Sequence, residues 1–190
     1  MSQFDPQAAV WHKVWRLGDD VDTDALAPGA YMQHGIDIIG QHCLEHLLPT
    51  FAQDVRAGDV IVAGRNFGIG SSREQAAAVL VHLGVAAVIA PSYGGLFFRN
   101  AFNLGLVLLT CAQLDALKDE QQLCLVEPDL SLRTRSGTEL PCEPVPGFLL
   151  QMARAGGLLA SLKQRMLHCH CGPDPQSSGG AAMDPGSGPG

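Results

Sequence analysis

The run Asp59-Val60-Ile61-Val62-Ala63-Gly64 passes directly into Arg65-Asn66-Phe67-Gly68-Ile69-Gly70 and then into Ser71-Ser72-Arg73-Glu74-Gln75. A short β-branched run bounded by glycine reads as a buried strand. The glycines that follow permit positive φ and let a ligand approach the backbone closely. Beyond them Ala76, Val79, Leu80 and Leu83 recur at i, i+3, i+4 and i+7, the spacing of one helix face, and Gly84 supplies the stop. A strand that turns through a glycine loop into a helix start is the first step of a strand–helix alternation. It also puts free backbone N–H groups and about half a positive charge where the loop ends.

The same alternation continues. Val85 to Ala90 reads as the next strand, Leu96 to Leu104 as a helix stopped by Gly105, and Leu106 to Thr110 as a third strand. Ala112–Asp119 is expected to be helical, Leu123–Glu127 and Leu130–Arg135 to be strands, and Phe148–Leu167 to be a helix weakened at Gly156-Gly157. The stretch from Val14 to Ala30 reads as extended and loop-like. Alternating strands and helices predict a single α/β domain with parallel elements. Its span is expected to be 13–167, after a loose leader over 1–12 and before a Gly/Pro/Ser-rich tail over 168–190 that cannot bury enough apolar surface to order itself.

Composition narrows the function classes. Of the 190 residues, 46% are hydrophobic and 16% charged, which is material for a real core. A net charge of -7 repels nucleic acid and leaves any anionic substrate dependent on local positive groups. The most apolar stretch, Val79 to Ala90, is interrupted by His82 and Gly84 and falls short of a membrane span. The start has neither a basic nor an apolar run, so no signal peptide is expected and the reading is cytoplasmic. The six cysteines, at 43, 111, 124, 142, 169 and 171, form no Cys-x-x-Cys pair, so neither a zinc ribbon nor a complete iron–sulfur site is expected on this chain.

The chemistry concentrates in the glycine loop. It is not a P-loop, because Ser-Ser-Arg follows Gly70 where Gly-Lys-Ser/Thr is required. Nor is it a dinucleotide fingerprint, because Arg73 stands where the third glycine belongs. What remains is an anion-binding helix start with two hydroxyls and a guanidinium able to grip a carboxylate bidentately. Ser71 with Glu74, and Ser72 with Gln75, each also have capping-box spacing, so helix capping alone would satisfy the pattern.

Asn66-Phe67-Gly68-Ile69-Gly70-Ser71-Ser72-Arg73-Glu74 resembles the Asn-Phe-Gly-x-Gly-Ser-Ser-Arg-Glu signature of the aconitase superfamily's swivelling domain, as found in isopropylmalate dehydratase small subunits. The likeness continues in Val88-Ile89-Ala90-Pro91-Ser92-Tyr93, in Phe97 to Leu106, in Asp20-Val21-Asp22-Thr23-Asp24-Ala25-Leu26-Ala27-Pro28, and in Ala155-Gly156-Gly157-Leu158-Leu159, so it covers roughly 13–166 in order. It implies a three-layer β/β/α fold and a hydro-lyase that isomerises a 2-substituted malate by dehydration and rehydration. It also implies a large partner subunit that carries a 4Fe-4S cluster, this chain binding none. Residue by residue, it makes Ser71 the catalytic base and places Asp24 at the active site. Ser72, Arg73, Thr23 and Gly70 become substrate-binding, and the turn of Ala30, Tyr31, Met32 and Gln33 becomes the selector of the substrate side chain.

Two departures from the family pattern bear on the substrate. Gln75 stands where many isopropylmalate enzymes have histidine, as in homoaconitase-like members, and Ala30 and Met32 replace an arginine and a leucine often found around the tyrosine. Isopropylmalate, homocitrate/homoisocitrate and methylmalate all fit. A reading of another class is a non-catalytic carboxylate-binding or regulatory subunit.

Other constellations weigh less. His168-Cys169-His170-Cys171 has the residue types of a metal site, but adjacent ligands alternate direction. His42 and His46 are expected as a solvated or packed i, i+4 pair, and Trp11 and Trp15 as packing anchors. Asp19, Asp20, Asp22 and Asp24 lack the glycine and distal glutamate of a calcium loop.

Overall fold

The computed structural model describes residues 9–117, 121–126 and 130–169. Most of the expected leader (1–8) and the tail beyond Cys169, including His170 and Cys171, lie outside the described residues.

In chain order the elements are β1 (Trp11–Arg16), α1 (Thr23–Leu26), α2 (Ile36–Gln41), α3 (Phe51–Asp54), β2 (Val60–Val62), α4 (Glu74–His82), β3 (Ala87–Ala90), α5 (Gly95–Leu104), β4 (Val107–Thr110), β5 (Gln122–Val126), β6 (Ser131–Thr134), β7 (Glu139–Leu140), α6 (Gly147–Arg154) and α7 (Leu158–Cys169). Two 3-10 turns, Gly29–Tyr31 and Leu114–Leu117, join them. Seven strands form one sheet in the order β4-β3-β2-β1-β5-β6-β7. The four at the β4 side run parallel, and β5, β6 and β7 are added antiparallel.

β1 is the hinge of this arrangement. Val14, Trp15 and Arg16 pair with β2, whereas Trp11, His12 and Lys13 pair with β5, so the strand changes partner halfway along. The sheet therefore curls, and the parallel strands are buried on both faces as such strands require. On one face Trp15, Ile61, Ala63, Val88, Ala90 and Leu108 pack against the helices, with Ala76, Val79, Leu80, Phe97 and Phe102 opposite. On the other, Val60, Val62, Ala87, Ile89 and Leu109 meet Leu123, Leu132 and Leu140 of the antiparallel part. The strict alternation of residues between the two cores is the period-2 geometry of a strand.

Trp15 is the packing anchor expected of it. Its ring stands edge-on to Phe51, 5.0 Å between centroids, and its indole N–H donates to Asp59 Oδ2 at 2.8 Å. The same carboxylate oxygen accepts from the Arg56 backbone N–H at 3.0 Å. At the sheet's edges, Glu143 N donates to Thr110 O at the end of β4, and β7 is only two residues long.

Some expectations need correction. The first strand starts at Trp11, inside the stretch read as leader, because backbone pairing with β5 orders residues whose side chains carry little pattern. The Ala112–Asp119 segment is a single 3-10 turn over Leu114–Leu117 in its described part; a stretch this short does not sustain a helix by itself. The C-terminal helix is two helices, split where Gly156 (φ 84°) and Gly157 (φ 103°) both turn left-handed. No helix among the described residues is long and apolar enough to cross a membrane.

Candidate active site

Two loops meet at one end of the sheet. The loop after β2 and the segment leading into α1 are laced together by Gly68 N to Val21 O (2.7 Å) and Thr23 N to Ile69 O (2.8 Å). Further along, Phe67 N donates to Ser92 O and Gly94 N to Phe67 O. Asn66 (φ 60°) is held in its left-handed turn by its neighbours. Its backbone N–H donates to Ser92 Oγ at 2.9 Å, and its side-chain amide donates to Asp20 Oδ1 at 2.8 Å. Gly68 has φ +75°, and a Cβ there would stand 2.2 Å from Phe97 Cγ, so no other residue lets α5 pack against the loop this way.

This lacing brings the predicted residues together. Thr23 Oγ1 and Ser71 Oγ lie 3.2 Å apart. Thr23 is 2% exposed, while Ser71 and Ser72 are open to solvent. Gly70 (φ +104°) leaves room for the pair, since a Cβ on it would sit 3.2 Å from Thr23 Oγ1. Arg73 Nη1 is bound to Asp24 Oδ1 and also donates to Ala27 O at 2.9 Å. Asp24 Oδ1 additionally accepts from Gly29 N at 3.1 Å. The Arg73 guanidinium, followed by the Gly29 N–H, holds the Asp24 carboxyl below the usual carboxylate value. Gly29 begins the 3-10 turn that carries Ala30 and Tyr31 and leads to Met32 and Gln33, so the candidate selector turn is tied directly to the candidate carboxylate grip.

The capping expectation is overturned. The N-cap of α4 is Arg73, and no side chain caps the helix. Arg73 N turns back onto Ser71 O at 2.8 Å, which carries both serines outside the helix end. The Ser71 hydroxyl is engaged with Thr23 instead, and the helix start stays open, as an anion site requires.

Each acidic residue of the Asp19–Asp24 segment has its own partner. Asp19 takes the backbone and side chain of Arg65, Asp20 takes Asn66, and Asp22 caps α1 by accepting from Ala25 N at 2.7 Å. Among the described residues no group of three or more His, Cys, Asp and Glu side chains could hold a metal. Cys43, Cys111, Cys124 and Cys142 do not gather at Ser71: Cys43 lies in the helix-side core, Cys111 and Cys142 in the core on the other face of the sheet, and Cys124 on β5. The described residues therefore do not fit an iron–sulfur cluster.

His42 is the residue the sequence pattern misplaced. α2 ends at Gln41, and Leu44 turns to φ 59°, so His42 and His46 share no helix face. The imidazole of His42 instead stacks flat on Tyr31, centroids 3.6 Å apart and planes 7° from parallel. No local pattern announces a stack between residues on separate elements.

The chain is similar to several known proteins along most of its length. The model of the Aconitase C-terminal domain matches residues 46–114. A 3-isopropylmalate dehydratase small subunit of Archaeoglobus fulgidus is 41% identical over 158 residues, covering 80% of this chain and 98% of that protein. A homoaconitase small subunit of Thermus thermophilus is 43% identical over 157 residues, covering 80% and 94%. The crystal structure of a 3-isopropylmalate dehydratase from Methanocaldococcus jannaschii superposes with a TM-score of 0.78 at 36% identity, covering 84% of this chain and 96% of that one.

Proposed function

The chain belongs to the family of 3-isopropylmalate dehydratase and homoaconitase small subunits, and from that premise we propose that it is the smaller half of a two-chain hydro-lyase that isomerises a 2-substituted malate. The reaction assigned to it is conversion of 2-isopropylmalate to 3-isopropylmalate, a step of leucine synthesis in the cytoplasm. The partner in this reading is a large subunit, which also carries the 4Fe-4S cluster.

The observation that carries the proposal is the joint presentation of two pairs where the glycine loop meets α1: Ser71 with Thr23, and Arg73 with Asp24. Ser71 Oγ takes the proton from the carbon beside the departing hydroxyl. Thr23 is buried within hydrogen-bond reach and donates to that oxygen, stabilising the alkoxide form in which Ser71 takes the proton and becomes a neutral hydroxyl. Asp24 and Ala27 O fix one end of the Arg73 guanidinium, and its other nitrogens grip a substrate carboxylate with the N–H groups at the start of α4 and the Ser72 hydroxyl. Rehydration reverses the proton transfer with the hydroxyl on the neighbouring carbon. Groups that receive the departing hydroxyl belong to the partner.

Exposure of Ser71 supports the need for that partner, since a serine oxygen in full contact with water gains little basicity from its neighbours. Homocitrate-type substrates are the second reading, favoured by homoaconitase small subunits at 42% and 43% identity. The test is anaerobic turnover by this chain mixed with a reconstituted large subunit, offered 2-isopropylmalate, homocitrate and methylmalate in parallel. Turnover that needs both chains and vanishes with Ser71→Ala establishes the reading and picks the substrate. A stable complex silent on all of them sinks it in favour of a regulatory subunit.

A further inference from the structure

The turn that carries Ala30, Tyr31, Met32 and Gln33 is short and half open to solvent, so something must hold its side chains in a fixed register if it is to discriminate between substrates. At its first residue the hold is the Gly29 N–H on Asp24. At Tyr31 it is His42.

Three features make His42 a rigid support. Its ring lies parallel to the Tyr31 ring at 3.6 Å between centroids, closer than most aromatic pairs. Its Nδ1 is hydrogen-bonded to Glu45 Oε2 at 2.7 Å, which fixes the rotation of the imidazole. Its backbone is fixed as well. Leu44 N donates to Ala25 O at 2.8 Å, joining this segment to α1, which carries Thr23 and Asp24. α2 also lies close on α4, where a Cβ on Gly40 would come within 3.4 Å of His82 Cδ2. α4 is the helix that Arg73 opens. The face of Tyr31 is thus referenced to the same frame as the carboxylate grip.

We infer that His42 is a positioning residue which, by stacking on Tyr31 while held by Glu45, sets the orientation of the 30–33 turn and so the enzyme's selectivity for the substituent on the malate. The inference rests on the proposed role of that turn. His42 touches no substrate in it. Its loss acts through KM for substrates with a bulky substituent and leaves the proton transfer at Ser71 unchanged.

The experiment uses the two-chain complex. Values of kcat and KM are measured for 2-isopropylmalate and 2-methylmalate with wild type, His42→Ala and His42→Phe. In His42→Ala the ratio of the two kcat/KM values shifts by about 10-fold, the scale of a pocket contact worth one or two methyl groups. That shift appears in KM, with kcat for each substrate within about twofold of wild type. His42→Phe, which keeps a flat ring against Tyr31, restores most of the ratio. An unchanged ratio in His42→Ala, or losses of kcat that are equal for both substrates and accompanied by a lower Tm, overturns the inference and leaves His42 a structural residue. A wild-type complex that turns over neither of these substrates nor homocitrate removes the underlying functional reading as well, so the two failures are told apart by the wild-type rates. A complex active on homocitrate alone gives the same test with homocitrate as the bulky substrate, and an unchanged KM for it in His42→Ala overturns the inference.

Discussion

The hydroxyl oxygens of Thr23 and Ser71 stand 3.2 Å apart, one buried and the other facing solvent, although the residues are 48 positions apart in sequence. The contact joins the two segments that carry the family resemblance and gives them a chemical reason to be together. If Ser71 is the base, Ser71→Ala lowers kcat in the complex by about 10²- to 10⁴-fold while binding to the large subunit is unchanged. Thr23→Val lowers kcat by about 10-fold and leaves KM nearly alone, because its hydroxyl stabilises the Ser71 alkoxide that takes the proton. Steady-state kinetics beside a gel-filtration assay of the complex separates these outcomes from loss of assembly.

In the proposed site Arg73 grips the substrate as a planar fork held from behind by Asp24 and Ala27 O. Arg73→Lys keeps the charge and loses the fork. KM for the malate substrate therefore rises by about 10- to 100-fold, with a smaller change in kcat, in the same assay.

Asp24 titrates below the ordinary aspartate value because the Arg73 guanidinium and then the Gly29 N–H favour its charged form. A depressed pKa means the pair is intact throughout the neutral range and is lost only as pH falls through the lowered value. An NMR titration of the Asp24 side chain in the isolated chain shows a midpoint below that of an unperturbed aspartate. Arg73→Ala moves that midpoint upward. An unmoved midpoint would mean the ion pair does not persist in solution.

Gly68→Ala meets two obstacles at once, a φ of +75° and a Cβ placed 2.2 Å from Phe97 Cγ. The loop must shift or α5 must move, at about 1–3 kcal/mol for each effect. Thermal denaturation of the purified chain shows the lowered Tm.

Cys43 is fully buried and desolvation pushes its thiol far up. In the native chain it is the slowest of the described cysteines to react with iodoacetamide, as peptide mapping after timed quenching shows.

Much of this was legible in the sequence. The run from Val60 through Gly70 to Leu83 announced strand, loop and helix because burial on both faces, positive φ and a 3.6-residue period each leave a local mark. Trp11–Arg16 left no such mark: β1 changes sheet partner halfway along, so its burial follows neither a continuous nor an alternating pattern. Capping-box spacing at Ser71 and Ser72 was a true local propensity that lost to the turn from Arg73 N to Ser71 O and the long-range bond to Thr23. The support of Tyr31 by His42 was invisible for the same reason, since it depends on where two elements lie and not on what flanks either residue.

The borders of the sheet have a consequence for assembly. One ends in β7, a two-residue strand, and at the other the backbone of Glu143 already occupies Thr110 O at the tip of β4. Borders this short or capped at the tip are poor templates for an added strand, so in the proposed complex a large subunit docks through side-chain contacts and not by extending the sheet. Two chains joined in that manner can reorient against each other without unzipping a backbone ladder, a mechanical freedom suited to a site that must open to admit substrate and close to expel water.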